Sequence, residues 1–168
     1  MLIIMKLSEF SSRKALTLLT GAFILHNTEE AVTMLFQPVE SPVSFIHPPT
    51  YNQFLFAVSA LTIAGIIAYL AAMRTKNIKT YLFISTAVAA ALLLNVFIPH
   101  VVVALYTMKY TPGLVSAIML NLPFSLHLLS KNKPSFQNHK QMLFYIAVGL
   151  AAGYALFALT LILARFLI

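Results

Sequence analysis

Five stretches of this chain are apolar over enough residues to cross a lipid bilayer, and no other feature narrows the possible folds as far. A hydrocarbon core of ~30 Å takes about 20 helical residues, and a backbone that finds no water in lipid must bond within its own segment or within a closed barrel. The stretches are Ala15 to Phe36, Gln53 to Met73, Thr80 to Thr107, Gly113 to Leu129 and Gln141 to Ala164. Barrel strands alternate apolar and polar residues, whereas Ala87 to Leu94 and Ala155 to Leu163 are apolar without alternation. The sequence therefore predicts an all-α fold, a single integral membrane domain over residues 1–168 built as a polytopic bundle of five transmembrane helices.

Composition agrees. Charged residues make up 9% of the 168, against about 25% in soluble domains, so the chain cannot cover a water-facing surface and a soluble enzyme is excluded. Cysteine is absent, which removes disulfide frameworks, iron–sulfur clusters and thiolate nucleophiles together. The formal charge of +7 sits between the apolar runs, where it reads as membrane topology and not as a nucleic-acid surface. One set of flanks holds Lys6, Arg13, Lys14, Arg74, Lys76, Lys79, Lys131, Lys133 and Lys140, and the opposite set only Lys109 and Arg165. Basic flanks stay cytoplasmic, so the N-terminus is expected in the cytoplasm and the C-terminus outside, in the plasma membrane. No small-residue cleavage site follows the first apolar run, which is read as an uncleaved span, and Met1 to Met5 is placed at the interface.

Connections add detail. Thr111-Pro112-Gly113 ends a tight turn that makes the third and fourth spans an antiparallel pair. The loop Gln37 to Asn52, stiffened by Pro38, Pro42, Pro48 and Pro49, is a connector or a lid over the outer mouth. Gly149 to Gly153 is a small-x3-small pattern that permits close helix packing, within the bundle or against a second copy in a homo-oligomer.

Ionisable groups inside a span cost roughly 2.5 to 3.5 kcal/mol on insertion scales and usually face a bundle interior. The first span carries His26, Glu29 and Glu30, with Thr33 on the same face at about 100° per residue. Two adjacent carboxylates in low dielectric require a metal, a shared proton, an imidazolium or escape to the interface. The third span supplies Asn95, Pro99 and His100. Proline has no N–H, so the helix is expected to kink there and free the Asn95 carbonyl. On an ideal helix His100 lies about 140° from Asn95, so both point inward only if the turn is distorted. Asn121, two residues before Pro123, marks a second broken helix. By helical rise, Glu29, Glu30, His100 and Asn121 share one layer, with His26 a little deeper and Asn95 deeper still. His127 and His139 fall at the inner end and in a basic loop, where solvated roles are expected.

In the zinc signature His-x-x-Glu-His the outer positions ligate and the glutamate acts as base. Here His26 and Glu30 can ligate from one face, His100 completes a His2Glu set with one position open, and Glu29 addresses a metal-activated water. Asn95 and Asn121 would orient ligands or polarise a substrate carbonyl, and the roles of Glu29 and Glu30 are interchangeable at this stage. The same residues also permit metal-free acid–base isomerisation or cyclisation, or a small proton- or ion-coupled carrier.

His26-Asn27-Thr28-Glu29-Glu30 followed by Asn95-x4-His100 resembles the HXXEE family of small multi-pass prokaryotic membrane proteins. The resemblance implies that His26, Glu29, Glu30, Asn95 and His100 are its marked residues and that the activity is enzymatic. A fainter similarity to the intramembrane CAAX-type proteases breaks at Met34, where an arginine would fall, and at Phe97, which stands three rather than four residues before His100. The expectation is a membrane-embedded, metal-assisted hydrolase using a divalent metal such as zinc on a lipid-like or hydrophobic substrate.

Overall fold

A computed structural model describes residues 2–36 and 49–168, with side chains from residue 11 onward in the first segment. Every regular element in these residues is helical. They are α1 (Leu2–Phe36), α2 (Tyr51–Arg74), α3 (Ile78–Asn95), α4 (Val102–Thr107), α5 (Leu114–Ser116), α6 (Leu122–Asn132) and α7 (His139–Leu167). The first helix is continuous from Leu2. The expected lid falls largely on residues 37–48, outside the described residues. Its end is an N-cap, with Thr50 and Gln53 forming a capping box at the start of α2.

Four rods among the described residues are long and apolar enough to cross a membrane: Tyr51–Arg74, Ile78–Thr107, Leu114–Ser135 and His139–Leu167. Helix α3 runs into α4 through a broken segment, Val96–Val101, and α5 into α6 through a second, Ala117–Asn121. In both, an N–H reaches back five residues instead of four, from Val102 to Phe97 and from Leu122 to Ala117. Such wide turns recur at functional positions in helices. Ile98 is extended at φ −126° and ψ 111° inside this segment, so the kink expected at Pro99 is present.

Helix α3 lies at the centre of the bundle, against α2, α6 and α7, while α1 packs on α2 and α6. Leu16, Leu19, Tyr81, Ala89 and Leu128 fill the core. Leu25, Ile63, Ile67, Leu105 and Leu143 stand outward and exposed, the reverse of a soluble helix and the surface lipid requires. Gly149 and Gly153 both face α3: a Cβ on the first would lie 2.5 Å from the Ala87 carbonyl oxygen, and on the second 2.9 Å from the Ala91 Cβ. The small-x3-small stripe is therefore occupied within the chain.

One end of the bundle is tied by polar bonds. Ser12 bonds both Tyr81 Oη, at 2.7 Å, and Asn132 Oδ1, and Asn132 Nδ2 donates to Ser85 Oγ and Thr86 Oγ1 at 2.9 and 3.1 Å. Arg13 donates to the carbonyls of Ala72, Met73 and Thr75 at the end of α2, which α-helix termini leave unsatisfied. The ionisable cluster lies toward the other end.

Candidate functional site

Helical spacing places His26 and Glu30 one turn apart on α1, with His26 Nε2 3.7 Å from Glu30 Oε1. The break at Ile98 and Pro99 turns His100 inward, so that its Nε2 lies 3.2 Å from the same carboxylate oxygen. The two imidazole rings meet edge to face, with centroids 4.7 Å apart. One ligand atom from each of His26, Glu30 and His100 falls within 4.8 Å of the others. His26 is 1% exposed and His100 2%. Among the described residues neither Nε2 makes a hydrogen bond, and both face the same Glu30 oxygen. A buried imidazole nitrogen without a partner is costly unless something else occupies its lone pair.

Two residues that sequence reasoning passed over arrange this trio. Ser116 Oγ lies 3.0 Å from His26 Nδ1 and 3.3 Å from the Gly113 carbonyl, to which it donates. With the serine proton on that carbonyl, His26 Nδ1 is the donor to Ser116 Oγ and Nε2 is left as the acceptor nitrogen, the tautomer that metal ligation through Nε2 requires. Gly113 adopts φ +81°, and a Cβ there would meet Glu30 Cγ at 2.5 Å, His26 Cε1 at 2.8 Å and His100 Cε1 at 3.0 Å. The buried turn Thr111 to Gly113 therefore closes directly over all three side chains. Thr111 Oγ1 also donates to the His100 carbonyl, at 3.2 Å.

Glu29 points elsewhere. Its Oε2 accepts the Ser116 N–H at 2.8 Å and its Oε1 accepts the Tyr110 hydroxyl. Burial and that carboxylate together push the Tyr110 phenol up to about 12. Thr33, expected on the same face, bonds back to the Glu29 carbonyl at 2.6 Å. Asn27, inside the motif but unassigned by the sequence, donates to Thr62 Oγ1 at 2.6 Å and joins α1 to α2. Asn121 is fully buried and Asn95 half-buried; neither bonds the trio, and both carry side-chain atoms without partners among the described residues. His127 and His139 are exposed.

The trio fits a metal by its own chemistry. Tetrahedral zinc with bonds of ~2.0 to 2.2 Å sets donors about 3.3 to 3.6 Å apart; the two separations from Glu30 are close to this, at 3.7 and 3.2 Å, and the two imidazole donors lie within 4.8 Å of each other. Two neutral imidazoles and one carboxylate are a known catalytic set.

Apolar rods around a buried His/Glu/His cluster define a multi-pass helical membrane protein with a polar centre inside the bundle. Comparison with known proteins places it further. The chain belongs to the family described as protein of unknown function with HXXEE motif, which matches residues 17–128. It is similar to a Bacillus subtilis (strain 168) protein named uncharacterized protein YrkK, 34% identical over 107 residues. That match takes in 61% of this chain and 64% of the relative, less than two thirds of its length. No solved structure matches the chain.

Proposed function

We propose that this chain is a plasma-membrane enzyme that hydrolyses a lipid-like or otherwise hydrophobic substrate, using a divalent metal, zinc in the first instance, held by His26, Glu30 and His100. In this reading α1 is a fifth span, with the N-terminus in the cytoplasm and the C-terminus outside. The observation that carries the proposal is the pair of buried Nε2 atoms, without hydrogen-bond partners among the described residues, beside one Glu30 oxygen. Imidazole and carboxylate donors suit zinc.

Such an ion supplies Lewis-acid activation of water and of a carbonyl. The chain's own residues do the remainder. Ser116 holds the His26 ring through Nδ1, and Gly113 leaves room for the three side chains to converge. Glu29, with one oxygen on the Ser116 N–H and the other on the Tyr110 hydroxyl, sets a negative charge beside the trio and ties the turn after α4 to α1. His26 and His100, buried in the bundle, act in a low dielectric where each charge counts for more than in water.

The test is metal analysis combined with turnover. Protein purified from metal-replete cells should hold stoichiometric zinc that His26→Ala and His100→Ala both lose. Reconstituted in liposomes, it should hydrolyse a fluorogenic long-chain ester, stop on chelation and resume with Zn²⁺. Zinc retained in full by His26→Ala would remove the ligand assignment. Hydrolysis untouched by metal stripping would point instead to acid–base chemistry by the glutamates alone.

A further inference from the structure

Asn121 and Ser125 are fully buried, yet among the described residues neither amide atom of Asn121 nor the Ser125 hydroxyl has a hydrogen-bond partner, and the Asn95 carbonyl oxygen is in the same condition. Nearly every buried polar group in a folded protein is paired, so four such atoms in one region call for whatever completes them.

They do fall in one region. Asn121 and Ser125 are one turn apart on a single helix face. The segment Val96–Val101 that follows Asn95 packs against Ala117–Asn121. Register gives the same answer. Asn132 on α6 bonds Ser85 and Thr86 on α3, and α3 and α6 run antiparallel. Moving eleven residues, about 16 Å, outward along both helices brings Asn121 level with residues 96 and 97, beside Asn95. Toward the Asn132 end lie Ala89, Leu92 and Leu128, all buried and apolar. Toward the other end lies Ser116, which touches His26.

The bundle offers its own control. Asn132, equally buried, spends its amide on Ser12, Ser85 and Thr86, as an asparagine kept for architecture should. Asn121 has the same side chain at the same burial and spends nothing. Two amides and a hydroxyl are uncharged and offer donors and acceptors together. That suits a neutral group that also does both, whereas a buried anion needs a charged or metal partner.

We propose that Asn95, Asn121 and Ser125 form a neutral hydrogen-bonding subsite for the carboxamide or hydroxyl head of an uncharged amphiphile, and that this head group defines the substrate class. The substrate part of the inference rests on the trio being the reaction centre; the binding part does not need the metal.

The experiment is equilibrium binding of radiolabelled decanamide to the full chain in micelles after metal stripping, with decanoate as the charged control. Decanamide should bind saturably and at least about tenfold more tightly than decanoate, and Asn121→Leu should lose at least about tenfold in affinity. Ser125→Ala should lose affinity as well. Asn121→Leu should melt no lower than wild type, because an unpartnered amide is exchanged for an apolar side chain of similar size. Equal affinity for decanamide and decanoate would overturn the proposal, as would unchanged binding by both variants. A lower melting temperature in Asn121→Leu with unchanged binding in Ser125→Ala would show the amide to be structural, and would overturn it too. A failure of the zinc assignment leaves this binding intact, and a failure here leaves the zinc content of the wild-type protein intact.

Discussion

Gly113 holds φ at +81°, and its missing Cβ is the space into which Glu30, His26 and His100 project. An added methyl group would meet three functional side chains and a backbone conformation that L-residues avoid. Gly113→Ala should therefore lose most of its retained zinc and about 1 to 3 kcal/mol of stability, read by metal analysis and thermal unfolding of the same preparation. Tyr110 makes a pH prediction. Its phenol, about 10 when unperturbed, is held up to about 12 by burial and by Glu29. The folded chain keeps this proton more tightly than the unfolded one, so the contribution is complete below about pH 10 and lost as pH rises through about 12. A tyrosine absorbance titration should show a late phase near pH 12 that Tyr110→Phe removes; the same curve in both proteins would count against the Glu29 contact. At this scale the sequence was half legible. His26, Glu30 and His100 stood out because ionisable groups are costly in a span. Gly113 and Ser116 did not, because glycine and serine are ordinary in membrane helices and acquire a role only when a second helix arrives.

At the scale of elements, the break in the third rod was readable because proline lacks the N–H that the helix needs. Its result was not readable: whether Asn95 and His100 could both turn inward depended on the extended Ile98, which no local rule dictates. The glycine stripe of α7 shows the same division. Its capacity for close packing was plain in the spacing, but its partner, α3 at Ala87 and Ala91, comes from the topology of the bundle. The two glycines should respond differently to substitution. Gly149 meets backbone, which cannot move aside, and Gly153 meets the Ala91 side chain. Gly149→Ala should cost about 1 to 3 kcal/mol and Gly153→Ala less, measured by unfolding in detergent; the reverse order would show that α7 sits on α3 in another register.

Across the whole molecule the two ends of the bundle differ in kind. At one end Ser12, Tyr81, Asn132, Ser85 and Thr86 pair with one another, and Arg13 closes the carbonyls of α2, so polar burial there serves architecture. At the other, polar atoms are left without hydrogen-bond partners among the described residues, the pattern that a site built for function would show. The sequence marked Asn121 by its place inside the fourth span, two residues before Pro123, but the full pairing of Asn132 with Ser12, Ser85 and Thr86 comes only from the packing of three helices. Lysine and arginine counts carry an expected orientation, and labelling tests it. The chain has no cysteine, which allows a clean check by single-site labelling. Met108→Cys, in the exposed turn between the third and fourth rods, should react with an impermeant maleimide on intact cells, and Lys76→Cys only after permeabilisation. The opposite pattern would invert the bundle.

The central claim is that imidazoles from two different helices and one glutamate hold a metal inside the bundle. X-ray absorption at the zinc edge of the zinc-loaded protein tests it most directly. The account predicts scattering from two imidazoles and one carboxylate, falling to one imidazole or to no bound zinc in His100→Ala. A shell of oxygen donors without imidazole, or a spectrum that His100→Ala leaves unchanged, would contradict it.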